Sequence, residues 1–270
     1  MLILRKCWAF VVKDFRTDVS YRLAFAGQIL FTFFMVASFY FFARMIGQST
    51  IPSLAPYGGE YFPFVLVGVA FSSYLDVSIR SFADTIRSAQ VLGTLEALIT
   101  TPTSPWQIVL LSTVYSFVST SLRVVLTLAI GVFVFDVNFT NSNWPGALLV
   151  LALSIVCFSF LGIMSASAVL AFKRADPSGW MVQGLSYLLG GVYYPISVLP
   201  GWIQIVAQAL PITHSLEAMR KTLLMGASLD QVLPSLLGLL VFALVAGPTS
   251  IVLFWLALKR VRREGSLGHF

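Results

Sequence analysis

The sequence predicts an all-α membrane protein with six transmembrane helices, an amphipathic N-terminal helix at the membrane interface, and a re-entrant helical segment between spans five and six. Three observations predict it. First, the 270 residues are 58% apolar and only 10% charged, against roughly 25% charged in an ordinary soluble domain. So few charges cannot cover a water-facing surface, which excludes a soluble globular enzyme, a disordered chain and a fibrous repeat. Second, six apolar runs approach the about 20 residues that a bilayer-crossing helix needs. Third, the basic residues alternate sides. Arg5, Lys6, Lys13, Arg16, Arg22, Arg80, Arg87, Lys173, Arg174, Lys259, Arg260, Arg262 and Arg263 fall on one side, and Arg44, Arg220 and Lys221 on the other. By the positive-inside rule both termini are cytoplasmic. The net charge of +6 is therefore read as topology and not as affinity for nucleic acid. The runs are apolar all round and too long for the strands of a barrel.

Residues 1–21 come first. Leu4, Trp8, Val11, Val12, Phe15 and Val19 recur at helical spacing, while Lys6, Lys13, Arg16 and Ser20 fall away from them. Such a helix lies in the headgroup plane with its basic side toward anionic lipid. The apolar run Cys7–Val12 is too short for a signal peptide and no small-residue cleavage site follows, so residue 1 is expected to belong to the working chain. The spans are then 23–43, 61–79, 106–135, 147–172, 179–194 and 232–258. The fifth is short and rich in glycine. Cys7 and Cys157 are far apart and form neither a disulfide framework nor a metal spacing.

Two segments are not simple spans. In Gly93–Pro105, Thr94–Ile99 reads as a short helix bounded by Gly93 and by Pro102 and Pro105. A helix this short is marginal in water, so it is either a solvated connector or a helix held by a packing partner. The stretch 195–224 is apolar but cut by Pro195, Pro200 and Pro211, each of which breaks or kinks a helix. Its pieces, about Trp202–Leu210 and Ser215–Leu224, are too short to cross. Broken helices at membrane depth are tolerated when buried in protein or facing a watery cavity. A re-entrant pair fits, and an amphipathic hairpin on the outer surface remains the alternative.

Polar groups inside the spans are candidates for function. Asp76 lies about 22 Å from the Tyr61 end of span two, and Arg123 about 20 Å from Asp136 at the end of span three. The two spans run antiparallel, so the residues are expected at one level as an ion pair; Arg123 snorkelling or bonding backbone carbonyls is the other reading. Glu217 and Arg220, three apart, share a helical face. His214 has no second ligand at useful spacing, so no metal is expected. The first span is dense in aromatics, which either face lipid or line a path for an amphipathic molecule.

Two stretches carry a family resemblance. Gly93-Thr-Leu-Glu-Ala-Leu-Ile-Thr-Thr-Pro-Thr-Ser-Pro105 is one; the other is Tyr194-Pro-Ile-Ser-Val-Leu-Pro-Gly-Trp202 with Leu210-Pro-Ile-Thr-His-Ser-Leu-Glu-Ala-Met-Arg220. With the six-span layout and the N-terminal helix, they resemble the permease subunit of ABC-2 type ABC exporters over essentially the whole chain. The resemblance implies the ABC-2, or type V, exporter fold in a bacterial or archaeal cytoplasmic membrane. It implies two permease copies working with two separate ATPase subunits, which hold the ATP and magnesium. The chain itself has no G-x-x-x-x-G-K-[ST] to cradle phosphates, so no bound cofactor is expected and the chain is not itself an enzyme. Residues 93–101 then look like the coupling helix that docks on the ATPase, through Thr94, Leu95, Glu96, Leu98 and Ile99. Pro195, Pro200, Pro211, His214, Glu217 and Arg220 belong to the re-entrant signature. Spans one and five face the second copy in this family, which makes Phe31, Phe34 and Tyr187 candidates for the substrate path. The expected cargo is amphipathic or lipid-linked: a glycan, a lipid or a drug. The alternatives are a membrane-embedded lipid- or glycan-modifying enzyme, for which no catalytic constellation is present in the spans, and a non-transporting membrane anchor for an ATPase.

Overall fold

The computed structural model describes residues 22–47, 51–91, 105–172 and 177–264. The N-terminal helix expected over 1–21 and the coupling helix expected over 93–101 lie outside the described residues. The described elements are helices and the turns between them. They are α1 (Arg22–Ile46), α2 (Tyr61–Val91), α3 (Pro105–Phe135), α4 (Trp144–Phe172), α5 (Pro177–Leu189), α6 (Gly201–Gln208), α7 (Pro211–Leu224) and α8 (Leu229–Glu264), with short 3-10 turns at Pro52–Tyr57 and Ile196–Val198.

Among the described residues five helices are long and apolar enough to cross a membrane: Ala26–Ile46, Tyr61–Ser88, Thr113–Phe135, Trp144–Phe172 and Leu229–Arg260. The crossing expected over 179–194 is not a continuous helix of that length. α5 has 13 residues, about 20 Å at 1.5 Å per residue, short of the roughly 30 Å hydrocarbon core. The helix ends before Gly190 and Gly191, and Gly191 takes the left-handed φ of 77° that a side chain would strain. Val192, Tyr193 and Tyr194 are apolar enough to prolong the run in sequence, but they belong to the turn.

The second span is longer than expected, continuing from residue 79 to Val91. Its polar tail stays helical because Phe82, Ala83 and Ile86 pack with Ile163, Ala166, Val169 and Leu170 of α4 and with Phe254 and Ala257 of α8, while the Thr85 hydroxyl is satisfied on Ser81 O at 2.8 Å. α4 begins three residues early, at Trp144. Asn143 Oδ1 accepts from the Gly146 N–H at 3.0 Å, while its Nδ2 donates to Ala227 O at 2.8 Å. One side chain thus caps α4 and ties it to the turn before α8. At the head of α8, Gln231 Oε1 accepts from the Ser228 N–H at 3.3 Å, one half of a capping box.

α2 is the central helix, most of its apolar length buried, whereas α1 is largely exposed. α3, α4 and α7 pack on it, and α8 packs along α4. The core joins Phe62, Leu66, Tyr74 and Leu75 of α2 to Val150, Cys157 and Phe158 of α4, Leu216 and Met219 of α7, and Leu239 of α8. Cys157 is a buried filler whose thiol lies 3.2 Å from Leu239 O. α4 meets α2 closely at Gly162, where an added Cβ would stand 2.3 Å from Ser78 O; small residues of this kind let membrane helices approach.

The segment 195–224 is the broken helix pair that its prolines predict. Pro195 precedes the second 3-10 turn, Pro200 sits at the N-cap of α6 and Pro211 opens α7. α7 starts four residues earlier than expected, because proline at the first helical position has φ already set and no N–H to leave unsatisfied.

Candidate functional site

Two polar constructions stand out in the bundle, and each ties a different part of the α5–α7 region to α2. The first is built on Arg220. α7 turns this side chain inward until the residue is 3% exposed. Its Nε donates to Phe64 O at 3.1 Å, Nη1 to Gly191 O at 2.7 Å and Nη2 to Val192 O at 2.9 Å. The guanidinium lies 3.5 Å from the Phe64 ring centroid. The planar fork thus pins the Gly191–Val192 turn to the start of α2 and satisfies three carbonyls at once. Gly68 makes room for it: a Cβ there would be 2.3 Å from both Arg220 Nη2 and Val192 O.

Glu217, three residues away, takes no part in this. It pairs outward with Lys221 at 2.8 Å, an i,i+4 surface bridge. In the turn before α2, burial pushes the Tyr57 phenol above its usual pKa, and the nearby Glu217 acts in the same direction. His214 Nε2 is 2.8 Å from Gln208 O, and its ring lies against α8, where a Cβ on Gly238 would come within 2.7 Å of Nδ1. Among the described residues no three His, Cys, Asp or Glu side chains come together as a metal site would require.

The second construction is a polar ladder between α2 and α5. Ser72, Asp76 and Arg80 follow at four-residue steps on α2, and Gln183 and Tyr187 do so on α5, so each set lines one helix face. The Tyr187 hydroxyl donates to Asp76 Oδ2 at 2.6 Å and Gln183 Nε2 donates to Asp76 Oδ1 at 2.5 Å. Ser72 Oγ is 3.1 Å from the Tyr187 hydroxyl, and Arg80 Nη2 is 3.5 Å from Gln183 Oε1. A row of rings continues from the tyrosine: Tyr187 to Tyr193 at 5.9 Å between centroids, then Tyr193 to Phe39 of α1 at 6.0 Å. Asp76, Tyr187, Tyr193 and Phe39 are all half-buried.

The ion pair expected between Asp76 and Arg123 is not formed. α2 and α3 do pack together, with Phe62 against Phe135 at 5.6 Å between centroids and the Tyr74 hydroxyl donating to Ser121 Oγ at 2.9 Å. Asp76, two residues on and so rotated by roughly 200°, faces α5. Arg123 is exposed and belongs with α1: the Gln28 oxygen, with its amide turned to suit both groups, accepts from Arg123 Nε and Nη2. Depth along an axis sets the level of a residue and leaves its azimuth open. Exchanging the two residues (Asp76→Arg with Arg123→Asp) is therefore expected to give no more folded protein than either single change, measured as the monodisperse fraction in size exclusion. A rescued double variant would restore the pair.

Phe31 and Phe34, 71% and 59% exposed, lie on the outer face of α1, whereas Tyr187 turns toward α2; the three proposed path residues are not brought together within one chain. Gln183 was not singled out in the sequence. Its signal is its spacing: a glutamine four residues before a tyrosine in a short apolar helix, facing a carboxylate in an apolar partner.

A family model described as ABC-2 type transporter matches residues 4–224. The chain is 27% identical over 164 residues to a protein named "Probable multidrug ABC transporter permease YbhR" of Escherichia coli (strain K12), covering 60% of this chain and 44% of that protein. It is 27% identical over 189 residues to "Inner membrane transport permease YadH" of the same strain, covering 69% of this chain and 71% of that one. The chain thus spans less than half the length of the first relative.

Proposed function

Because the chain belongs to the ABC-2 type transporter family, we propose that it is the membrane permease subunit of an ATP-driven exporter for an amphipathic or lipid-linked cargo: a glycan, a lipid or a drug. The observation that carries this is the family match over 4–224 on a bundle with five helices fit to cross a membrane. The names of the relatives, a multidrug permease and an inner-membrane transport permease, support transport across the cytoplasmic membrane.

In this reading α5 and the turn at Gly190–Gly191 complete a sixth crossing, which returns both basic termini to the cytoplasm. α6 and α7 form the re-entrant pair beneath the outer surface. Two copies enclose the path, with the exposed aromatic face of α1, Phe31 and Phe34 included, turned toward the second copy or lipid. ATP and magnesium are held by two separate ATPase subunits. Thr94, Leu95, Glu96, Leu98 and Ile99 transmit their closure, so that transport follows from a difference in cargo affinity between two arrangements.

Replacing Thr94–Ile99 by a Gly-Ser linker of equal length is expected to reduce co-purification with the cognate ATPase, and ATP-driven cargo movement in proteoliposomes, to background. Normal association and transport in that variant would overturn the proposal.

A further inference from the structure

We propose that Asp76, Tyr187, Tyr193 and Phe39 form a recognition site for a lipophilic organic cation, which makes the cationic members of the amphipathic class the preferred cargo. This rests on the permease reading above and narrows it. A carboxylate some 22 Å along a spanning helix is costly and is retained there in company with a partner. Yet both hydrogen bonds that Asp76 accepts come from neutral groups, the Tyr187 hydroxyl and the Gln183 amide. Arg80, one turn further along α2, meets the Gln183 oxygen rather than the carboxylate. Among the described residues no cationic side chain stands within ion-pair distance of Asp76, and Arg80 acts on it only from one turn away.

The groups on the side away from Arg80 decide what would match it. The Tyr187, Tyr193 and Phe39 rings form a continuous row, half-buried and so within reach from the membrane. Ring faces attract cations, most strongly where water is excluded, and they accept the apolar groups that surround the charge of a phosphonium or quaternary ammonium. A hard metal ion would want six or more oxygen ligands, and Asp76 supplies one carboxylate. An anionic cargo, such as a lipid-linked phosphate, would meet repulsion in a medium of low dielectric.

The test uses the full chain in nanodiscs, with tetraphenylphosphonium and tetraphenylborate as probes of equal shape and opposite charge, corrected for uptake by empty nanodiscs. The wild type is expected to bind the phosphonium at least about tenfold more tightly than the borate, and Asp76→Asn to abolish that preference. Equal binding of the two probes by the wild type, or unchanged phosphonium binding by Asp76→Asn, would overturn the assignment. Should Asp76→Asn fail to fold, Tyr193 decides: Tyr193→Phe keeps the ring and is expected to retain binding, while Tyr193→Leu weakens it about fivefold or more, and equal binding by these two variants counts against the site. ATPase association is measured on the same preparations. If it is intact and binding ignores Asp76, the cation site fails and the permease reading stands; if the wild type does not associate with the ATPase, both fall.

Discussion

Replacing Arg220 with leucine is expected to destabilise the folded protein by about 2–5 kcal/mol, from the hydrogen bonds lost to buried carbonyls. The guanidinium holds Phe64 O, Gly191 O and Val192 O together; Phe64 O keeps its own partner within α2, whereas leucine takes that bond from Gly191 O and Val192 O in the turn, each worth about 1–3 kcal/mol when unsatisfied. The loss is concentrated in the Gly191–Val192 turn, so the link between α5 and α6 should loosen from α2 before the α2–α4 core does. The measurement is the thermal transition of purified protein in detergent, with limited proteolysis between residues 189 and 201. Arg220→Lys should recover little, because a single ammonium on a flexible stem cannot reproduce the fork that places Nε, Nη1 and Nη2 on three separate acceptors. A lysine variant as stable as the wild type would show that charge alone suffices at this position.

The second large effect is expected at Gly162. Alanine there would bring Cβ to 2.3 Å from Ser78 O and 2.7 Å from the Phe82 ring. The nearest neighbour is backbone of the central helix and cannot swing aside, so α4 must move away from α2 over much of its length. Overpacking of this kind costs typically 1–3 kcal/mol, occasionally more, and the length of the displaced interface puts Gly162→Ala at the upper end. Gly27→Ala and Gly184→Ala are the controls. An added Cβ at either position meets nothing within 4 Å, and alanine in an exposed helix position is about 1 kcal/mol better than glycine. Folded yield and melting temperature should fall for Gly162→Ala and hold or rise for the other two. Equal behaviour of all three would mean that α4 and α2 tolerate a wider spacing than the bundle shows.

Where the sequence reading fell short, the missing information was of one kind. The run 179–194 is mostly apolar despite Gln183 and Ser186, but hydropathy sums residues without regard to chain direction and does not register that the helix ends at Leu189. The expected span ends at residue 79, but α2 continues to Val91, where Phe82, Ala83 and Ile86 bury against α4 and α8. Residue counts predict Asp76 and Arg123 at one level, and rotation about the two axes turns them to different neighbours. The broken pair α6 and α7 was legible because its signals are local: Pro200 and Pro211 fix backbone at their own positions.

By itself the sequence determined the solvent of this protein, its helical class, the position of most helices to within a few residues, and the motifs that tie it to its family. These follow from composition, run length and proline, properties that each stretch carries without reference to any other. Only the tertiary structure decided which side chain meets which: Arg220 on three carbonyls rather than toward Glu217, Asp76 on Gln183 and Tyr187 rather than Arg123, and Gly162 against Ser78. A partner is set by the rotation and tilt of two packed helices. Those angles come from the interlocking of whole faces, which no single stretch of chain encodes.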